Sequence, residues 1–117
     1  MATIRDVVQA LSAREGVDAV AVVGRDGLAI DAASQNGVDT EGVAAVLPGV
    51  IREMGQLGEA GARGEFGAAV LEFGAGLAVV AVLSAEVLLV VLVRPATNVG
   101  DLLFDVRRHR TAIAGLL

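Results

Sequence analysis

The stretch Ala19–Ser34 reads AVAVVGRDGLAIDAAS. Two apolar runs flank a polar island, Gly24-Arg25-Asp26-Gly27. A phosphate cradle needs a glycine loop leading from a strand into a helix, usually with a lysine and a Ser/Thr. Here strand follows strand, and no Lys-Ser/Thr pair is present. Glycines supply positive φ, and Asp-Gly is a favoured turn pair. The island therefore reads as the turn of a β-hairpin, which points away from an enzyme and toward a binding module.

The pattern extends outward from that hairpin. Thr3 to about Arg14 reads as a helix, with Ile4, Val7, Val8 and Leu11 on one face. Thr3 and Asp6 form a capping-box pattern, and Gly16 ends the helix. Val17–Val23 is nearly all apolar and so covered on both faces. Leu28–Ser34 is more polar and belongs near a sheet edge. Asp39 or Thr40 caps a second helix that reaches about Leu57. Its apolar stripe is Val43, Val46, Leu47, Val50, Ile51, Met54 and Leu57. Pro48 lies inside it and removes a backbone donor, so the helix either bends there or starts later.

Gly58–Glu65 reads as a flexible connector. The spacing of Gly58, Gly61 and Gly64 resembles a phosphate loop, but a helix precedes it and a strand follows. Phe66–Phe73 reads as a third strand, Leu77–Leu83 as a fourth and Val87–Val93 as a fifth, with Gly74-Ala75-Gly76 a turn. Leu77–Val93, LAVVAVLSAEVLLVVLV, is about the shortest run that spans a bilayer as a helix. Glu86 at its centre is costly in lipid, and valine prefers strands. Two buried strands joined at Ser84-Ala85-Glu86 are expected instead, with no membrane span. Pro95 breaks the chain. Asn98 caps a last helix with Asp101 following, and Leu102, Leu103, Val106, Ile113, Leu116 and Leu117 form its stripe.

The predicted order is α-β-β-α-β-β-β-α. Short links make neighbouring strands antiparallel. The fold class is α+β, an α/β sandwich: one five-stranded antiparallel sheet with helices on both faces. Residues 1–117 suit a single domain, of which roughly two-thirds of the unfolded surface can be buried.

Composition narrows function. Nine Lys+Arg against 14 Asp+Glu give a net charge of −5, and aromatics are 3%. Both argue against a nucleic-acid partner, which needs a basic face or stacking rings. The chain has no cysteine and one histidine, so thiol catalysis, disulfides and multi-histidine metal sites are excluded. His109 has no acid or nucleophile near it in sequence and reads as a surface residue. Arg107, Arg108, His109 and Arg110 point around their helix and read as a solvated helix end. Asp101 reads as a cap and Asp105 as solvated. No nucleophile, base and oxyanion set assembles, so no catalytic residue, cofactor or metal is expected. The N-terminus lacks the basic start and solid apolar run of a signal peptide, which implies a cytoplasmic protein.

The whole chain resembles the roadblock/dynein-light-chain family. The resemblance rests on Glu15–Ala32 (EGVDAVAVVGRDGLAIDA), Val43–Leu57 (VAAVLPGVIREMGQL) and the closing segment Val87–Leu117. Gly16, Val17, Val22, Asp26, Gly27 and Ile30 fit the family's opening pattern. The resemblance implies a profilin- or longin-like sandwich and a homodimer. In that dimer the third strands pair edge to edge and the second helices lie side by side. It also implies a role in binding and regulating a small Ras-like GTPase, as in bacterial polarity and gliding-motility systems. There the dimer acts on the GTPase's own groups and inserts no arginine. The alternative is a passive scaffold module in a larger signalling or motor complex. The Ala-, Gly- and Val-rich composition looks prokaryotic.

The residues independently suggest self-association. An unpaired third strand would leave a long edge exposed, and a twin would cover it. Candidate dimer-interface residues are Phe66, Ala68, Val70 and Glu72 on that strand and Gly42, Ala45 and Gly49 on the second helix. Candidate partner-binding residues are Glu41, Arg52, Glu53, Gln56 and Glu59.

Overall fold

Each expected helix start is capped by its own side chains. In the computed structural model, which describes residues 3–116, Thr3 Oγ1 accepts from the Asp6 N–H at 3.1 Å. Asp6 Oδ2 accepts from the Thr3 N–H at 3.0 Å, completing the capping box. The elements run α1 (Ile4–Ser12), β1 (Val17–Gly24), β2 (Ala29–Ser34), α2 (Thr40–Ala60), β3 (Ala68–Phe73), β4 (Gly76–Val82), β5 (Val87–Val93) and α3 (Val99–Ala114). Asp39, not Thr40, caps α2, its Oδ1 taking the Gly42 N–H at 3.0 Å. Asn98 caps α3 and exchanges two hydrogen bonds with Asp101, at 3.1 and 3.3 Å.

The sheet order is β2-β1-β5-β4-β3, with every neighbouring pair antiparallel. Strand alternation assigns the two faces. Val20, Val22, Val79, Leu89 and Val91 meet Val8 of α1 and Leu102, Val106 and Ile113 of α3. Ala21, Val23, Val80, Leu88 and Val90 meet Ala44, Leu47 and Ile51 of α2. Three layers result, with helices on both faces as expected. The long apolar segment Leu77–Val93 is two antiparallel strands, and among the described residues no helix is long and apolar enough to cross a membrane.

The Gly24–Gly27 island is a hairpin turn. The Gly24 N–H donates to the Leu28 carbonyl at 2.9 Å, and Asp26 Oδ1 accepts from the Leu28 N–H at 3.0 Å. Gly27 supplies the positive φ, at 83°.

Four expectations are corrected. First, α1 stops at Ser12, short of Arg14 and well before Gly16. Second, α2 starts at Thr40 despite Pro48, so the later start is excluded, and it ends at Ala60. Gly58 lies inside that helix, and the chain folds back over it. A Cβ there would lie 2.5 Å from the Gly64 carbonyl oxygen, and the Arg63 N–H donates to the Gly58 carbonyl at 2.8 Å. Third, β3 begins at Ala68, not Phe66. Fourth, Val46 and Leu57 are not core: they are 64% and 67% exposed, and Ala44 joins Leu47 and Ile51 beneath the helix instead. Leu117 and the His109 side chain lie outside the described residues.

Candidate functional site

Register decides what the outer edge of β3 offers. The Val82 N–H donates to the Gly67 carbonyl at 2.9 Å, and pairing continues from Ala68↔Ala81 to Phe73↔Gly76. In an antiparallel ladder, bonded and non-bonded positions alternate. Ala69, Leu71 and Phe73 therefore bond β4, while Ala68, Val70 and Glu72 turn their N–H and C=O groups outward. Those three are edge positions singled out in the sequence. Phe66 is not on the edge; it precedes the strand and packs with the α2 side of the core.

The exposed surface of α2 divides into two sides by helical spacing. Val46, Val50, Glu53 and Leu57 recur at i, i+4, i+7 and i+11. Gly42 and Gly49 fall between this side and the next, and a Cβ on Gly49 would lie 3.7 Å from Arg52 Nη2. This side carries the exposed Val46 and Leu57. The smallness of Gly42 also serves the cap, since a Cβ there would overlap the Asp39 carboxylate. Ala45 is exposed and borders the β1–β2 turn, where a Cβ on Gly27 would lie 3.5 Å from the Ala45 Cα.

The other side of α2 places Arg52, Gln56 and Glu59 along a groove of about 1010 Å³. Arg25, Phe66, Ser84 and Arg110 also line it. Of the five candidate contact residues, these three come together. Glu41 sits in the first turn of α2, and Glu53 lies on the apolar side. No local signal marks this groove in the sequence, because its walls come from a hairpin turn, α2, the β4–β5 turn and α3.

The basic run of α3 is not simply solvated. Arg110 Nη2 donates to the Gly67 carbonyl at 3.2 Å and so holds the entry to β3. Arg108 stacks 5.6 Å from the Phe104 ring centroid and pairs with Asp105 at 3.5 Å. Asp105 also pairs with Arg14, tying α3 to α1. Among the described residues no group of three or more His, Cys, Asp or Glu could hold a metal ion.

No family profile matches the chain, and no curated protein matches it. Solved structures do. The Myxococcus xanthus protein MglB superimposes with a TM-score of 0.85 at 22% identity, over 97% of this chain and 93% of that one. A roadblock/LC7 domain from Streptomyces avermitilis gives 0.83 at 17% identity, over 96% and 95%. An MglB described with a tetrameric arrangement gives 0.85 at 14% identity, over 97% and 86%. This chain has the roadblock fold, in the form shared with MglB.

Proposed function

We propose that the protein is a non-enzymatic homodimer that regulates a small Ras-like GTPase, on the pattern of gliding-motility and polarity systems. One observation carries the reading. On a fold shared with MglB, the open edge of β3 accompanies an exposed apolar side of α2. An unpaired strand edge and exposed valine and leucine are both relieved by a second copy. Pairing through Ala68, Val70 and Glu72 joins two sheets into one and brings the two α2 helices together. The described fold of an MglB with a tetrameric arrangement also supports self-association.

The grooves holding Arg52, Gln56 and Glu59 then form the partner surface of the dimer. Such a platform accelerates hydrolysis by ordering the GTPase's own water-positioning groups. The test takes a Ras-like GTPase encoded in the same genome. Hydrolysis is measured with and without this chain, and binding is measured in both nucleotide states. Faster hydrolysis and preference for the GTP form are expected. Equal binding to both states with no change in rate would leave a passive scaffold.

A further inference from the structure

The sheet has two outer edges, and they are treated differently. The Gln35 N–H donates to the Asp18 carbonyl at 2.7 Å, and β2 continues with Ala33 opposite Val20 and Asp31 opposite Val22. By ladder alternation Ala33 and Asp31 bond β1, while Ala32 and Ser34 face outward. At Ala32 both outward groups are already engaged. Its N–H donates to Asp31 Oδ1 at 2.9 Å, and its carbonyl accepts from Arg5 Nη1 at 3.2 Å. The same Arg5 Nη1 is 2.6 Å from Asp31 Oδ1. Arg5 comes from the first turn of α1, whose start the Thr3–Asp6 capping box fixes.

We propose that this Arg5–Asp31 latch closes the β2 edge to a second copy of the chain, so that the sheet can extend only through β3. The β1–β2 register shifts once, at Ile30, where Val22↔Asp31 is followed by Val23↔Ala29. From Asp31 to Ser34 little else on β2 would keep a strand away. Its sequence, AIDAAS, has no lysine and no proline, and Ile30 within it and Leu28 just before it are exposed. A strand edge is a ready template for pairing, and a lysine, proline or bulge is the usual defence. The irregularity at Ile30 precedes the regular run Asp31–Ser34 and does not engage its outward groups. The latch uses hydrogen bonds to the backbone itself. β3 has no matching pair, since its one charged residue is Glu72. With both edges open, two-fold pairing through each would alternate without closing, and a filament would result. The choice of β3 as the working edge rests on the homodimer reading; the latch does not.

The experiment compares the wild-type chain with R5A/D31A, which removes one charge of each sign and leaves the net charge unchanged. Light scattering after size exclusion is run over a dilution series, with circular dichroism as the check on folding. The wild type is expected to stop at twice the 11.8 kDa chain mass. The variant is expected to exceed that mass and to grow with concentration. Adding V70P to the variant blocks β3 and should return a species of twice the chain mass, where V70P alone gives a monomer. A folded R5A/D31A with the wild-type mass at every concentration overturns the latch. A monomeric wild type sinks the homodimer reading instead, and the latch is still scored by whether R5A/D31A is heavier. Hydrogen exchange on the wild-type chain gives an arm that needs no variant: the Ala32 amide should exchange more slowly than the Ser34 amide. Equal exchange would overturn the latch.

Discussion

Gly16 lies against Thr97 with no room for a methyl group between them. Gly16 has φ +88°, and a Cβ built on it would overlap the Thr97 side chain. Thr97 is fixed in turn, its Oγ1 donating to the Arg94 carbonyl at 2.7 Å, while the Arg94 N–H donates to the Gly16 carbonyl at 2.8 Å. The corner between α1 and β1 is thereby joined to the corner between β5 and α3.

G16A therefore meets two penalties. The left-handed backbone costs an alanine about 1–2 kcal/mol, and the overlap with Thr97 adds to it. Urea denaturation should show a loss of at least ~1 kcal/mol. G16A/T97A should recover the overlap component and keep the backbone component. An unchanged midpoint for G16A would refute the close packing.

V70P separates folding from assembly. Val70 turns its N–H outward, so a proline there removes no bond to β4. The fold should survive while the mass falls to that of one chain. L71P, which removes an inward N–H, should instead lower the melting temperature sharply. A V70P chain that still dimerises would place the contact elsewhere.

Leu57→Glu tests the apolar side of α2. Its side chain is exposed, so the change should alter the stability of the monomer by only about 0.5 kcal/mol. In a dimer with adjoining α2 helices it puts carboxylates into the contact, and dissociation on dilution is expected. Sedimentation equilibrium decides this, and an undisturbed association constant counts against the arrangement.

Arg52→Glu addresses the groove. It reverses a charge in the groove that Arg110 also lines and is not one of the exposed apolar residues Val46 and Leu57, so the oligomeric mass should stay the same. Stimulation of GTP hydrolysis should drop about tenfold, equivalent to ~1.4 kcal/mol of barrier. Full stimulation by the variant would move the partner surface away from the groove.

Much of this architecture is legible in short-range chemistry. The Thr3–Asp6, Asp39–Gly42 and Asn98–Asp101 caps, the Asp26-Gly27 turn and the strand alternation all act within a few residues. The misreadings arise where distant groups decide. Val46 and Leu57 belong to the same broad apolar stripe as Leu47 and Ile51, but the sheet covers a narrower arc of α2 than that stripe spans. Gly58 reads as a connector residue, yet it lies inside α2 with the Gly64 carbonyl packed over it. Arg110 reads as solvated until α3 carries it to Gly67. The edge positions Ala68, Val70 and Glu72 follow from the sequence, whereas the Arg5–Asp31 latch needs α1 laid beside β2.

β5 occupies the centre of the sheet, with Val22 opposite Leu89 on one side and Val79 opposite Val91 on the other. It is also the last strand to be synthesised. The β1–β2 and β3–β4 hairpins can form as the chain emerges, but neither meets the other until β5 arrives between them. Pairings across so much intervening chain raise the contact order and slow folding. During synthesis the inner edges of β1 and β4 stay open until β5 is available to pair with both, the kind of transiently bare strand edge that invites misassembly.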